Sequence, residues 1–319
     1  MMKLVALDGY AANPGDISWD GLKALGDCTI YDRTVASEVI ERAKDADAIF
    51  VNKTIIDKKT IEALPNLKYI GVQATGYNTI DLETAKEHGI TVTNIPAYST
   101  RSVAQMAFAH ILNITQRVQH YTDEVRSGQW TNNSDFCFWD TPLIELKDKK
   151  MGILGLGHTG LATARIAISF GMHVFSFTSK TNLQLSSEIK KMELDELLRE
   201  CDIITLNCPL NKDTDKMINA ARLALMKPTA ILINTARGGL INEQDLADAL
   251  NEGKIYAAGL DVLSSEPPRA DNPLLKAKNC FITPHIAWAS KEARSRLHTI
   301  LISNLQAFID GKPENVVNM

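Results

Sequence analysis

The stretch MGILGLGHTG, residues 151–160, decides the fold of the second half of the chain. Its apolar start, residues 151–154, precedes a turn with glycines at 155, 157 and 160, and a helical pattern follows. The first glycine permits a tight turn, the second lets the backbone approach a pyrophosphate, and the third lets helix and strand pack closely. The N-terminus of the following helix favours phosphate through its free amide groups and dipole. This spacing predicts a dinucleotide-binding βαβ unit.

Apolar runs alternate with helical patterns on both sides of this stretch. Six runs in the second half predict strands: MGILGLG, HVFSF, DIITLNCP, AILINTA, AAGLDV and CFITPH, with helices at 159–170, 193–200, 219–226 and 242–252. Five runs precede them: KLVALDG, CTIYDRT, AIFVN, LKYIGVQ and TVTNIP, with helices at 37–46, 58–64 and 79–89. Such alternation is typical of α/β proteins with parallel sheets. We therefore predict two doubly wound parallel-sheet domains.

Two long helices and one irregular segment complete the pattern. Helical spacing extends over residues 98–119, opening at Ser99 and Thr100, and again over 290–309. Between the first helix and the glycine turn, residues 121–146 have weak periodicity but carry Trp130, Phe136, Phe138 and Trp139. So many large aromatic side chains are not expected to stay in water. A lid, an arm buried in a partner subunit and packing on the segment's own domain all remain open.

Bulk composition excludes several classes of function. A length of 319 residues suffices for two domains with separate cores. The net charge of −4 gives no electrostatic case for binding nucleic acid or an anionic membrane surface. No apolar run approaches the ~18 residues of a membrane span. Five scattered cysteines without a CxxC pattern favour reduced thiols over a metal site, and hence a cytoplasmic protein.

The residues after the second strand of the dinucleotide unit bear on the choice of cofactor. An NAD site places Asp or Glu there, about 20 residues after the glycines, to bind the ribose hydroxyls. This chain has Thr178, Ser179 and Lys180 instead, and no acidic residue lies between Gly160 and Glu188. A 2′-phosphate would meet no repulsion and several donors. We therefore predict NADP(H) over NAD(H); the alternative is that Thr178 only caps the strand and both cofactors are accepted.

Three residue types follow in an order that suits hydride transfer: Arg237 in NTARGGLIN, Glu266 in LDVLSSEPP and His285 in ITPHIAW. The cofactor carries the hydride, so the protein must hold an anion, polarise an oxygen and move one proton. We expect His285 to exchange that proton, Glu266 to orient the imidazole, and Arg237 to bind a 2-oxo acid's carboxylate. The alternatives are a surface charge for Arg237 and a charge preceding two prolines for Glu266.

Further contacts are predicted from strand ends. Asp261 either contacts the nicotinamide side of the cofactor or only orders its loop, and the small turn at residues 73–78 has amide groups that can converge on a carboxylate. The predicted cofactor contacts are Gly155, Gly157, His158, Thr159, Gly160, Thr178, Ser179, Lys180, Cys208, Pro209, Thr235, Ala236 and Asp261. The predicted substrate contacts are Ala74, Thr75, Gly76, Arg237, His285 and Trp288, and no metal site is expected.

As a set, GLGHTG, NTARGGLIN, GLDV, EPP and TPHIAW resemble the D-isomer-specific 2-hydroxyacid dehydrogenase family over nearly the whole chain. The resemblance implies that Arg237, Glu266 and His285 are its catalytic residues. It also implies a Rossmann cofactor domain, residues 99–288, inserted into a flavodoxin-like substrate domain, residues 1–98 and 289–319. A homodimer follows in the same way, with residues 121–146 among the contacts between subunits.

Within that family, DFCFWDTPLIEL and PHIAW look like the glycerate dehydrogenase, or hydroxypyruvate reductase, branch. Trp288 would narrow the pocket and favour hydroxypyruvate or glyoxylate. Two alternatives are a D-lactate or broad-specificity 2-oxo acid reductase, and a cofactor-sensing binding protein like the family's transcriptional corepressors. The corepressors retain the catalytic residues, so only turnover separates them from the enzymes.

Overall fold

The computed structural model describes all 319 residues, which form two compact units: residues 1–99 with 289–319, and residues 100–288. The strands are β1 Lys3–Ala6, β2 Asp27–Ile30, β3 Ala48–Val51, β4 Tyr69–Val72, β5 Thr91–Thr93, β6 Lys150–Leu154, β7 His173–Phe177, β8 Ile189–Lys191, β9 Ile203–Leu206, β10 Ile231–Asn234, β11 Ala257–Leu260 and β12 Cys280–Ile282. The α-helices are α1 Gly9–Ala12, α2 Asp20–Lys23, α3 Val39–Ala43, α4 Lys58–Glu62, α5 Leu82–Glu87, α6 Thr100–Gln116, α7 Val118–Arg126, α8 His158–Ser169, α9 Leu194–Glu200, α10 Ala220–Leu223, α11 Glu243–Asn251 and α12 Lys291–Ile309. Short 3-10 helices lie at Ala36–Glu38, Asn182–Gln184, Gly238–Leu240 and Pro273–Lys276.

The first unit contains a five-stranded parallel sheet in the order β2-β1-β3-β4-β5. This is the flavodoxin-like order. Strands β3 and β4 are buried along their whole length, which explains why they are continuous apolar runs rather than alternating ones. Helix α12 lies against the sheet, where the Phe308 ring is 4.9 Å from that of Tyr69. The predicted flavodoxin-like sheet is confirmed.

The second unit contains a seven-stranded parallel sheet in the order β12-β11-β10-β9-β6-β7-β8. Strand β6 pairs with β7 on one side and β9 on the other, so the strand order reverses there. Ligands of open α/β sheets bind outside the carboxyl ends of the strands at such a reversal. Helices α6 and α8 pack together against this sheet, and the predicted Rossmann fold is confirmed.

The structure differs from the prediction in five elements. Strand β8 was not predicted because its three residues, Ile-Lys-Lys, contain no apolar run. The helix predicted over 98–119 ends at Gln116, since Arg117 adopts the left-handed conformation with φ 50°. A second helix, α7, then continues through residues 121–126, which were predicted to be irregular. The short helices α1 and α2 were also missed, because four residues are too few to show a period.

The residues after α7, 127–146, are called the arm below. They form turns and irregular backbone, and three of their four large aromatic side chains are exposed: Trp130 at 52%, Phe136 at 89% and Trp139 at 67%. Packing of these rings on their own domain, one of the three interpretations, is therefore wrong. No helix of the chain combines the length and the apolar character that crossing a bilayer requires.

Candidate active site

The glycine-rich turn after β6 forms the first part of the site. Gly155 has φ 92°, and a Cβ there would lie 2.8 Å from the backbone nitrogen of Cys208. A Cβ on Gly160 would lie 2.1 Å from the carbonyl oxygen of Gly155, so the close approach of α8 requires glycine. Gly157 has open space at its Cβ position, and the amides of Gly157 and His158 donate no hydrogen bond within the chain. Open space and free amides at a helix N-terminus suit an anion.

A cavity of about 350 Å³ lies beside this turn. It brings together seven predicted cofactor contacts: Gly155, Gly157, Thr178, Ser179, Lys180, Cys208 and Pro209. It adds five residues that were not predicted: Leu156, Phe177, Asn207, Thr214 and Met217. No acidic side chain lines the cavity. The predicted contact Thr159 lies next to it in the first turn of α8, half-buried, and His158 there is exposed.

The loop after β7 is rich in donors. Thr178 and Lys180 are half-buried, Ser179 is exposed, and the Lys180 amide donates to the Thr178 hydroxyl at 3.3 Å. A second cation approaches from β8, where Lys191 Nζ donates to the carbonyl oxygen of Lys180 at 3.1 Å. The loop thus brings two ammonium groups and two hydroxyls together and contains no carboxylate.

His285 and Glu266 form a hydrogen-bonded pair in the second unit. His285 Nδ1 lies 2.6 Å from Glu266 Oε2, and both side chains are partly exposed, at 27% and 33%. The other oxygen of Glu266 accepts from the amide of Leu263 at 3.1 Å, which fixes the carboxylate. Because Nδ1 is engaged by the carboxylate, Nε2 is the ring atom left to exchange a proton with a ligand.

The backbone of His285 is held in a conformation that few residues adopt. Its φ is 54°, in the left-handed region. The His285 amide donates to the carbonyl oxygens of Asp261 and Thr283, and its own carbonyl accepts from the Trp288 indole at 2.8 Å. The buried Asp261 carboxylate accepts from Thr283 and from two amides that follow His285. Asp261 therefore orders this loop. Its other predicted role, a contact with the nicotinamide side of the cofactor, stays a prediction.

Arg237 follows β10 and is exposed. Its Nη1 donates to the carbonyl oxygen of Ala236 at 2.7 Å, and the rest of its guanidinium fork makes no hydrogen bond within the chain. Buried Asn234 holds the turn by donating to the Arg237 carbonyl and accepting from the Ala236 amide. A Cβ on Gly238 would lie 1.9 Å from the carbonyl carbon of Leu263, so this turn packs directly on the strand end that leads to Glu266.

Two buried oxygen atoms at the same sheet edge have no partner within the chain. They are Oδ1 of Asn207, after β9, and Oγ1 of Thr235, after β10. Buried polar atoms of folded proteins are almost always hydrogen-bonded, so each of these atoms requires a partner from elsewhere. Their position at the carboxyl ends of neighbouring strands is where a dinucleotide would supply hydroxyl or amide groups.

The predicted substrate turn, residues 74–76, lies in the first unit after β4. Thr75 donates its hydroxyl to the carbonyl oxygen of Ile95 at 2.9 Å, and Asn94 donates its side-chain amide to the Thr75 carbonyl at 2.8 Å. The backbone amides of residues 74–76 donate no hydrogen bond within the chain. The turn thus has the free amide groups that the prediction requires.

Sequence analysis missed two residues that reach Asp261. Thr283 donates its hydroxyl to the carboxylate at 2.6 Å, and His110 of α6 lies 3.1 Å from that hydroxyl through Nε2. Thr283 could have been predicted to lie near the site, because it stands two positions before His285. Nothing in the sequence pointed to His110, because a single histidine within an amphipathic helix is ordinarily a packing residue.

The chain was compared with known proteins. Residues 108–287 match the family model described as D-isomer specific 2-hydroxyacid dehydrogenase, NAD binding domain. A hydroxypyruvate reductase of Blautia hydrogenotrophica is 52% identical across 99% of this chain and 100% of its own length. The chain belongs to the D-isomer specific 2-hydroxyacid dehydrogenase family. The predicted family and fold are confirmed.

Two other proteins bear on the branch and on the cofactor. A glycerate dehydrogenase of Methylorubrum extorquens is 40% identical, with 88% of each chain covered. A solved acyclic imino acid reductase, in complex with NADPH and D-Arg, is 33% identical with a TM-score of 0.85, covering 99% of this chain and 100% of that one. The chain is thus an NAD(P)-binding dehydrogenase of the D-2-hydroxyacid type, similar to the predicted glycerate dehydrogenase branch.

Proposed function

We propose that this dehydrogenase reduces hydroxypyruvate or glyoxylate to the D-2-hydroxy acid with NADPH, and catalyses the reverse reaction. The observation that carries the proposal is the His285–Glu266 pair, 2.6 Å apart, in the same unit as the glycine-rich phosphate turn. The 52% identity to a hydroxypyruvate reductase over the whole length supports the substrate class. A general acid near a dinucleotide site is the minimum that carbonyl reduction requires.

Three side chains would carry the reaction. The cofactor, when bound, supplies and accepts the hydride. His285 would donate its Nε2 proton to the carbonyl oxygen as that oxygen gains charge, and remove it in the reverse direction. Glu266, bonded to Nδ1, fixes the orientation of the ring. Arg237 would bind the substrate carboxylate through the guanidinium donors that the chain leaves free, since planar forks match carboxylates.

Each unit also offers a predicted contact to the substrate. In the first unit, the free amides of residues 74–76 would bind a carboxylate oxygen. In the second unit, the Trp288 indole is anchored by its bond to the His285 carbonyl, so its ring has a fixed position from which to limit the size of the substrate. Both assignments favour a small, unbranched 2-oxo acid.

The cofactor would be held by the glycine turn, by the loop after β7 and by the strand ends near Thr235, Ala236 and Asp261. The amides at the start of α8 suit the pyrophosphate, and the unpartnered oxygens of Asn207 and Thr235 need donors. Thr178, Lys180 and Lys191 favour a 2′-phosphate. We therefore propose NADP(H) as the preferred cofactor, with NAD(H) accepted more weakly.

The exposed rings of the arm favour a homodimer in which each arm is covered by the partner subunit. Trp130, Phe136 and Trp139 are large apolar side chains, and exposing such a cluster to water is costly. A lid is the alternative. Measuring self-association over a range of protein concentrations distinguishes the two, because only a homodimer depends on protein concentration. The cytoplasmic location and the absence of a nucleic-acid partner remain predictions from composition.

The proposal is tested by steady-state oxidation of NADPH and, separately, NADH with hydroxypyruvate, glyoxylate, pyruvate and a bulky 2-oxo acid. We expect the highest kcat/KM with NADPH and the first two acids. Equal or faster turnover of pyruvate would support the D-lactate or broad-specificity alternative. No turnover with any acid would contradict an enzyme of this kind and favour the cofactor-sensing protein.

The variant Thr178→Asp tests the proposed preference for NADP(H) over NAD(H). The new carboxylate would repel a 2′-phosphate and bind ribose hydroxyls, so kcat/KM with NADPH should fall about a hundredfold while that with NADH holds or rises. Thr181→Asp is a matched control, because it places the same charge at an exposed position that does not line the cavity. A wild-type preference for NADH would refute the cofactor claim and leave the reaction intact.

A further inference from the structure

A chain of hydrogen bonds connects helix α6 to the loop that carries His285. His110 Nε2 lies 3.1 Å from the Thr283 hydroxyl, and that hydroxyl donates to Asp261 Oδ1 at 2.6 Å. Asp261 in turn accepts from the amide of Ile286 at 3.0 Å and from that of Ala287 at 2.8 Å. His110 and Asp261 are 4% and 1% exposed. The two ends of the chain of bonds are therefore buried, and Thr283 between them is half-buried.

The direction of each bond follows from the number of hydrogens. Thr283 has one hydroxyl hydrogen and gives it to the carboxylate, so it can only accept from His110. Burial lowers the pKa of His110, although the Asp261 carboxylate opposes that shift. The ring is therefore neutral at neutral pH, with its proton on Nε2. A neutral imidazole that donates to Thr283 strengthens the hydroxyl as a donor to Asp261.

The far end of the network is the backbone on either side of the proposed proton donor. His285 has φ 54°, a conformation that must be maintained by its surroundings. Asp261 holds the two residues that follow it, and Ser102 of α6 donates to the Ala287 carbonyl at 2.6 Å. Helix α6 thus reaches the loop twice, directly through Ser102 and indirectly through His110.

We propose that His110 is a positioning residue that acts through Thr283 and Asp261 to fix the His285 loop for proton transfer. The inference rests on the proposed function, since it concerns the same reaction. Small displacements of a reacting group cost large factors in rate, about a hundredfold for 1 Å, so a residue remote from the substrate can control kcat.

Packing alone does not account for a histidine at this position. Its outer side lines an open cavity of about 450 Å³ with Met106, Ala109 and Asn113, so the imidazole is not filling a closed core. On the other side, Gly259 of β11 makes room for it, because a Cβ there would lie 2.7 Å from the His110 Cβ. A strand glycine without a turn indicates close approach of another group, and here that group is His110.

The test uses two substitutions of similar length. His110→Gln keeps an N–H donor near the position of Nε2, whereas His110→Met does not. His110→Met should lower kcat about tenfold, the upper end of the range for one neutral hydrogen bond, with KM for the 2-oxo acid and Kd for NADPH within about twofold of wild type. His110→Gln should recover most of the loss. Asn113→Met, which changes the same cavity outside the network, should leave kcat unaltered.

A second measurement does not depend on turnover. Amide hydrogen exchange of Ile286 and Ala287 should be about tenfold faster in His110→Met than in wild type, and near wild type in His110→Gln. Equal kcat and equal exchange in all variants would overturn the proposal. Equal losses in the Gln and Met variants, in step with their thermal stability, would also overturn it in favour of packing. If the wild-type protein showed no turnover but the variants showed the predicted exchange rates, the proposed function would be contradicted. The role of His110 in fixing the loop would still be supported.

Discussion

Two hydrogen-bonded histidine–carboxylate pairs of the second unit lie in contrasting surroundings. In the loop at residues 283–288, His285 pairs with Glu266 at 2.6 Å, and the flanking backbone is bonded to Asp261, Thr283 and Trp288. At the arm, His120 pairs with Asp140 at 2.8 Å beside aromatic rings that face solvent. The first region is completed by partners from its own chain, whereas the second leaves a large apolar surface uncovered. Geometry of a pair alone does not identify a catalytic site; the surrounding restraint does.

The largest expected effect separates the two pairs by activity. His285→Gln should lower kcat about a thousandfold, because it removes the proposed proton donor, and Glu266→Gln should lower it about a hundredfold, because a neutral amide oxygen holds the ring less strongly than a carboxylate. His120→Gln makes the same change in the other pair and should alter kcat less than about twofold. Steady-state kinetics with NADPH and hydroxypyruvate measure all three. A comparable loss in His120→Gln would remove the distinction between the regions.

The next effect concerns packing under the reaction loop. Gly238→Ala would place a Cβ 1.9 Å from the backbone of Leu263, and backbone cannot yield, so the free energy of unfolding should fall by about 3 kcal/mol. Gly239→Ala meets only the end of the Leu210 side chain, at 2.8 Å, and should cost under about 1 kcal/mol. Urea denaturation distinguishes them, and similar values for both variants would show that the loop is not tightly packed.

In contrast to Gly238→Ala, substitutions in the arm should have little effect on the stability of the single chain and a large effect on self-association. Replacing Phe136 and Trp139 by Ala should raise the dissociation constant of the proposed homodimer about a hundredfold, since buried aromatic side chains dominate interfaces. Leu183→Ala is a control, because Leu183 is 98% exposed outside the arm. Sedimentation velocity over a range of concentrations measures the change. A wild-type chain that is monomeric at all concentrations would favour the lid instead.

The smallest expected effect lies in the first unit, where His298 is buried with Nε2 unpartnered. Burial, with Arg294 nearby, lowers the pKa of His298 from 6.5 to about 4, although Asp16 opposes the shift. The folded chain therefore holds the neutral ring while the unfolded chain protonates near 6.5. Stability should be full above that pH and should have fallen by about 2 kcal/mol at pH 5. In His298→Leu this part of the pH dependence should vanish; its persistence would assign it to other groups.

The sequence predicted most of the fold because most strands of both sheets are largely buried apolar runs of three to five residues between helical patterns. Motif spacing also identified His285, Glu266 and Arg237 as residues at strand ends, and the first two are in contact. Where the pattern lacked apolar periodicity, as in β8 with its two lysines, the prediction failed.

The missed features share a physical cause. His110 lies on a helix and Thr283 at a strand end, 173 residues apart in the chain. No local spacing in the sequence predicts their contact. The break at Arg117 depends on one left-handed residue that is not glycine. The role of the arm could not be predicted, because exposed rings alone do not distinguish a lid from a contact with a partner subunit.

The most direct test of the central claim is the chirality of the product. Hydroxypyruvate should be reduced with NADPH to completion by the wild-type enzyme, and the glycerate resolved on a chiral column. The account predicts D-glycerate alone, formed in equal amount to the NADPH oxidised. L-glycerate, a racemate, or no product would contradict the assignment of His285 and Glu266 to a D-2-hydroxyacid dehydrogenase that acts on this substrate.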